Sequence, residues 1–289
     1  MLTVGSMSCK AEVAEQVEAE PPAKSAPVEP APREAAPPEP EAPVAATLPR
    51  TPDSHDALVE AAGKIYAGHR KTFYCGCVYT PAERIARGTC GYDTRADESL
   101  AKRVAWERIV PVQSYGPGRP CWTNEACKSD DGRDLSGVSC CLQTDPVFKA
   151  MYMDLHNVVP AIAEVAQDRA GFRFGEIEGE ARMYGACDFE IDHTAGLAEP
   201  APATRGKIAR TYLYMHEQYA DVLRLQPGEL DMMRAWHAAE PPDEWERERN
   251  AAIAAIQGVA NPFVDGRAPE PAVASSKFEA MLAGESDPG

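Results

Sequence analysis

VAWERIVP, residues 104–111, is the stretch on which the reading of this chain turns. Its β-branched and aromatic residues, stopped by Pro111, predict a short strand. Further along, MDLHNVVPAIAEVAQDRAG (Met153–Gly171) predicts the start of a helix, with Asp154 and Asn157 one turn apart and able to share a face. Glu107 leaving the strand opposite Asn157 on that helix is a layout that suits a hard divalent cation, which takes a few oxygen ligands and completes its shell with water. The plainer reading of the same pair is a solvated strand end and a helix-cap hydrogen bond. The two residues alone support either.

Outward from this stretch, the chain divides by composition. From Glu12 to Pro52 it is Ala, Pro and Glu, with eleven prolines between Pro21 and Pro52. Proline fixes the backbone and removes donors, so this segment cannot build a core and reads as a disordered, acidic, semi-rigid tether. The expected organisation is a tether over residues 1–54, one folded domain over 55–264, and a tail over 265–289 with a short amphipathic patch at Phe278–Leu282. The domain is long enough to bury a sizeable core.

Of 289 residues, 29 are Lys or Arg and 45 Asp or Glu, a net charge of −16. Asp56–Val264 alone holds 23 basic and 31 acidic residues, so the excess is not confined to the ends. That balance argues against strong nonspecific binding to nucleic acid, whose affinity comes from neutralising phosphates. A local basic groove remains compatible with it. No run approaches the eighteen apolar residues of a membrane-spanning helix. There is no Gly-rich phosphate loop, no Gly-x-Ser-x-Gly elbow and no internal repeat.

The nine cysteines divide into Cys9, ahead of the tether, and a set of eight: Cys75, Cys77, Cys90, Cys121, Cys127, Cys140, Cys141 and Cys187. An even, clustered set predicts disulfides and an oxidising compartment. Zinc is the rival, but neither Cys75–Cys77 nor Cys140–Cys141 has the two-to-four-residue spacing that zinc sites use. Gly5-Ser6-Met7-Ser8-Cys9 is similar to the end of a lipoprotein signal, although only eight residues precede Cys9. The expectation is a truncated or atypical start, with Cys9 lipidated and the tether holding the domain off a membrane. A chance cysteine in a disordered tail is the other reading.

Helices are expected over Asp56–Gly68, Ile208–Leu223 and Leu230–Ala239, the last ended by Pro241-Pro242. Asp243 should cap a further helix to Gln257, with Gly258 as its stop. Lys71–Tyr79 reads as a strand. The Tyr and Met stripe on the C-terminal helices reads as core.

The strings YCGC (Tyr74–Cys77), CGY (Cys90–Tyr92), WERIVP, CW (Cys121–Trp122), DLHNVVPAIAEVAQDRAGFRF, YGAC (Tyr184–Cys187), GKIARTYLYMHEQY (Gly206–Tyr219), PPDEWERERNAAIAAIQG and NPF (Asn261–Phe263) follow one another as in the endonuclease I family. The resemblance covers about Asp56 to Val264. It implies an α+β, mainly helical, disulfide-stapled domain around a ββα-metal (His-Me finger) motif. It also implies an exported, monomeric nuclease that hydrolyses DNA or RNA phosphodiesters without sequence preference, using one metal ion (Mg2+, or Ca2+ or Mn2+). A membrane would be a partner only through the lipid anchor. By the same resemblance Cys77 pairs with Cys90 and Cys75 with Cys187, leaving Cys121, Cys127, Cys140 and Cys141 to pair among themselves.

The resemblance places the metal ligands at Glu107 and Asn157. The family's general-base histidine follows its glutamate, and here that position is Arg108. The family's phosphate-holding arginine falls on Val138 when counted back from Cys140-Cys141, with Arg133 as another residue that could reach the site. Arginine keeps its proton at any relevant pH, so Arg108 cannot take one from water. Two readings follow: a metal-dependent nuclease impaired by loss of its base, or an inactive pseudonuclease kept as an exported binding domain.

Overall fold

The computed structural model describes residues 48–123, 127–179 and 181–269. Almost all of the Pro/Ala/Glu-rich tether, Cys9 and the Phe278–Leu282 patch lie outside them. The described chain is a mixture of helices and small sheets.

Helix α1 (His55–Ile65) opens it, with the Ser54 side chain accepting from Ala57 N and a 3-10 turn at Tyr66–Gly68 ending it. Lys71–Tyr79 is not the expected strand. Its backbone makes single bridges, Lys71 to Val78 and Tyr79 to Ile85, because the Cys75-Gly76-Cys77 turn, with Gly76 at φ +66°, folds the segment back on itself. The short helix α2 (Glu98–Ala101) leads into β1 (Val104–Arg108). Beyond β1 come helix α3 (Pro120–Thr123), a two-residue ladder of β2 (Cys127–Lys128) with β3 (Asp134–Leu135), and helices α4 (Gly137–Thr144) and α5 (Pro146–Tyr152).

The segment expected to begin a helix at Met153 does not. A one-turn 3-10 helix, Leu155–Asn157, is capped by Asp154 and runs into strand β4 (Val158–Ile162), antiparallel to β1. Helix α6 (Ala163–Arg169) starts only after the strand. The reason lies in VVPAI: two β-branched valines favour a strand, and Pro160 inside a helix would remove a backbone hydrogen bond and clash with the preceding turn. All five strand residues are buried. The register pairs Glu107 with Val159 and Arg108 with Val158.

A three-stranded sheet follows, in the order β5 (Arg173–Phe174), β7 (Leu197–Pro200), β6 (Phe189–Asp192). Helices α7 (Pro202–Gln218), α8 (Pro227–Ala239) and α9 (Glu244–Gln257) complete the domain. Helix α9 has the expected ends: Asp243 accepts from Glu246 N, and Gly258 at φ 79° closes it. The expected stripe on α7 is core, with Ile208, Tyr212 and Met215 all fully buried. The chain stays engaged past Val264. Asn250 Nδ2 donates to Asp265 at 3.1 Å, and Arg267 pairs with Glu217.

The four disulfides account for all eight domain cysteines. Cys75–Cys187 and Cys77–Cys90 are paired as the resemblance implied. The remaining four pair as Cys121–Cys141 and Cys127–Cys140, which pins the β2–β3 ladder and α3 onto α4. With every domain sulfur bridged, the zinc reading falls away.

Buried polar groups tie the helices to the turn before β4. Asp154 accepts from Tyr214 at 2.9 Å, Tyr219 at 2.8 Å and Gln257 Nε2 at 3.0 Å. The neighbouring His156 ring is buried, with Nε2 2.9 Å from the carbonyl of Val259, and burial pushes its pKa below the ordinary 6.5. The folded state therefore holds His156 neutral while the unfolded chain binds a proton, so stability is complete above about pH 6.5 and falls as the pH drops below it. Thermal unfolding under non-reducing conditions between about pH 7.5 and 5.5 is expected to show a declining midpoint. His156→Gln should flatten the slope without abolishing it, since burial also lowers the pKa values of His69 and His237. A slope unchanged in His156→Gln would contradict the assignment.

Candidate active site

Consecutive residues of a strand point to opposite faces, and β1 uses this to separate its two charges. Glu107 turns toward α6. Its Oε1 accepts from Arg169 Nη1 at 2.8 Å and from the Tyr74 hydroxyl at 3.3 Å, while its buried Oε2 has no partner. Its side chain is 8 % exposed and that of Arg169 0 %. Burial lifts the Glu107 pKa, and Arg169 and Tyr74 pull against that rise. Burial also works against the Arg169 charge, but Tyr74, Glu107 and Tyr212 around it outweigh the effect and hold the guanidinium protonated.

Arg169 was not singled out from the sequence. It sits at the last position of α6 and donates also to the carbonyls of Arg108 at 2.8 Å and Ile109 at 2.6 Å. Its guanidinium lies 4.5 Å from the Phe174 ring centroid. The available signal was helical spacing: Val165, Ala166 and Arg169 recur at i, i+1 and i+4, so an arginine shares the apolar side of a short helix. After Arg169 the backbone takes an unfavourable conformation at Ala170, φ 49° and ψ −114°, before Gly171. A Cβ at 171 would come within 2.6 Å of the exposed Gln113 side chain, which would have to move aside.

Arg108 turns the other way and does not pair with Glu107. Its Nε donates to the Tyr152 carbonyl at 2.8 Å, and its guanidinium carbon lies 3.4 Å from the Tyr152 ring centroid. The buried Nη2 has no hydrogen-bond partner. Burial lowers its pKa, with only the phenols of Tyr152 and Tyr115 acting in the opposite sense, and no carboxylate of the described residues pairs with it.

Both strand residues line one open cleft of about 280 Å3, together with Pro111, Val112, Gln113, Val138, Tyr152 and Ala170. The two positions that the resemblance marks as altered, Arg108 and Val138, thus lie together beside Glu107. Arg133 is not among the lining residues; it is exposed and pairs with Asp131 at 2.8 Å. Nor does any of the six histidines line the cleft. His69 stacks on Trp245 and His193 meets Phe172 edge-on, while His156 and His216 bond main-chain carbonyls.

Asn157 is placed differently from expectation. It stands opposite Ile109, whose N–H donates to the Asn157 carbonyl at 3.0 Å. Its carboxamide is turned onto Val110, accepting from the N–H at 2.7 Å and donating to the carbonyl at 3.0 Å. A fully buried amide used in this way extends the β1–β4 ladder by one more rung, and it does not line the cleft. Among the described residues no three His, Cys, Asp or Glu side chains cluster as a metal cage. Among the described residues lining the cleft, the carboxylate that fits a divalent cation is Glu107, whose Oε2 is buried and carries no hydrogen bond. That fits Mg2+ held in its common manner, by one carboxylate with waters and a substrate phosphate.

Comparison with known proteins agrees with the resemblance. The profile of the family described as Endonuclease I matches residues 63–268. A periplasmic deoxyribonuclease of Aeromonas hydrophila is 38 % identical over 206 residues, covering 70 % of this chain and 81 % of the relative. An extracellular deoxyribonuclease of the same organism is 35 % identical over 223 residues, covering 76 % and 92 %. Endonuclease-1 of Buchnera aphidicola subsp. Acyrthosiphon pisum is 34 % identical over 204 residues, covering 70 % and 76 %.

The Glu107–Arg169 pair should behave as a buried ion pair. Breaking one side strands a charge, at a cost of about 3–5 kcal/mol, whereas replacing both by apolar residues is close to neutral. Denaturant unfolding of Arg169→Met should show that loss, and the double variant Arg169→Met/Glu107→Leu should recover most of it. Additive losses in the double variant would contradict the pairing.

Proposed function

The chain belongs to the endonuclease I family, and from that premise we propose that it is an exported, DNA-directed phosphodiester hydrolase whose chemical step is impaired by loss of the general base. The names of its relatives support export and DNA as substrate. The four disulfides support an oxidising compartment. Strands β1 and β4 with helix α6 serve, in this reading, as the ββα unit of the site.

Each residue then has a definable part. Glu107 is the side chain that would hold the divalent cation, through Oε2. Bound there, such an ion neutralises charge developing on the phosphate and lowers the pKa of water. Arg169 fixes the rotamer of Glu107 and favours its ionised form against burial, which raises its pKa. Asn157, whose carboxamide holds the strand end at Val110, is the second residue that the resemblance assigns to the cation. Arg108 stands where a base would take a proton from water and cannot accept one. Among the described residues that line the cleft, the remaining proton acceptor is Glu107, which in this reading is committed to Arg169 and the cation, while Gln113, Tyr152 and Val138 are not bases near neutral pH.

The observation that carries this reading is Arg108, fixed on Tyr152 in the same cleft as Glu107. A positioned base contributes about 10²–10⁴ in rate, or roughly 3–5 kcal/mol of barrier. The second reading, an inactive pseudonuclease, is favoured by Val138, which puts an apolar residue where a phosphate-holding arginine is expected.

Plasmid nicking in Mg2+ under non-reducing conditions tests both. The wild-type chain should nick at least about 10²-fold more slowly than Arg108→His, and Glu107→Ala should remove the activity of that variant. Wild-type nicking as fast as Arg108→His would overturn the impaired-base reading. Activity that never rises above background in either protein would leave the pseudonuclease.

A further inference from the structure

Arg108 is a cation without a counter-ion among the described residues. Its Nε edge is held by the Tyr152 carbonyl at 2.8 Å and its face lies on the Tyr152 ring, so the guanidinium is fixed in place and does not swing out toward solvent or a carboxylate. Among its remaining donors, Nη2 is buried and without a partner. The cleft that Arg108 lines is walled also by the apolar Val112 and Val138 and by Tyr152. In such a wall an unpaired N–H is costly, and an anion placed against it is bound more strongly than in water.

We propose that this cleft binds one phosphodiester group through Arg108, without a metal ion, so that the residue replacing the base serves as a phosphate grip. The assignment deepens the nuclease reading and rests on it for the source of the diester, a nucleic-acid strand. Guanidinium forks match phosphate oxygens, and Arg108 is already oriented, so little freedom is lost when the contact forms. The charge balance selects the ligand. Arg169 and Glu107 compensate each other at 2.8 Å, which leaves a net single positive charge on Arg108. That matches the single negative charge of a diester. A phosphomonoester dianion would bring a second negative charge into a cleft that the Glu107 carboxylate side chain also lines. Such a grip needs only one local contact, so it is compatible with a net charge of −16.

The test is binding of a fluorescent DNA oligonucleotide to the full chain in EDTA over a range of salt concentrations. Wild type should bind with a salt dependence that includes one contact from Arg108. Arg108→Gln should weaken binding about tenfold at low salt and reduce the slope of log K against log[salt] by about 0.9. Arg108→Lys should keep the slope and lose part of the affinity, because the charge remains while the stacked fork is gone. Thermal melts of all three verify folding. Equal affinity and slope in wild type and Arg108→Gln overturn the proposal, as does absence of DNA binding by wild type. Competition identifies the ligand: dimethyl phosphate should displace the oligonucleotide at lower concentration than inorganic phosphate at about pH 8, where the latter is a dianion, and the reverse order overturns the diester assignment. Failure of the nuclease reading is separately visible, because Arg108→His would then fail to nick while the Arg108-dependent salt slope persists.

Discussion

Arg169 has no solvent contact at all, and a guanidinium is tolerated in such a place only because its charge and most of its donors are answered. Glu107 supplies the charge, the carbonyls of Arg108 and Ile109 take two further N–H bonds, and Phe174 lies under the plane. This constraint reaches well beyond the pair. It fixes the end of α6 against β1, and it sets the rotamer of Glu107, the one carboxylate among the described residues lining the cleft. It also holds the main chain at Arg108, the point from which the second cation leaves the strand. The unfavourable conformation at Ala170 comes directly after Arg169, where this network holds the chain.

The two arginines of the site are opposites in their chemistry. Arg169 is tied down on several sides, so it acts as scaffold. Arg108 is oriented but unsatisfied, so it is disposed to bind. Between them Glu107 has one oxygen committed and one free. A cation on the free oxygen and a phosphate on Arg108 are compatible occupants of the same cleft, and each would lessen the cost of the other's charge. What the described residues of the cleft lack is a histidine or any base not already committed to another partner. The site therefore separates two functions that a nuclease joins: holding the diester and stripping the attacking water.

Much of this was legible in the sequence. The strand at Val104 and the helix from Glu244 to Gln257 could be read locally, because the stop at Pro111, the cap at Asp243 and the left-handed Gly258 are signals carried by single residues. The disulfide set was legible from parity and clustering, and the positions of Arg108 and Val138 from ordered motifs. Other features were not. The Asp154–Asn157 spacing looked helical because two polar residues stood a turn apart, but the strand-forming Val158-Val159 and Pro160 decided the local structure. Asn157 then proved to be occupied with the Val110 peptide, a contact between residues far apart in sequence. Arg169 and Tyr152 were silent for a similar reason: their roles are created by packing, and neither has a distinguishing neighbour.

If no side chain of this cleft accepts the proton of the attacking water, the consequence is read most directly in the pH dependence of single-turnover plasmid nicking, measured for wild type and Arg108→His in parallel. The expected result is a slow wild-type rate that rises with hydroxide across about pH 6–9 without levelling, and a profile for Arg108→His that levels off above the ordinary imidazole range of about 6.5. A wild-type profile that levels off near about pH 6.5, at a rate comparable to that variant, would reveal a working base and contradict the reading of Arg108.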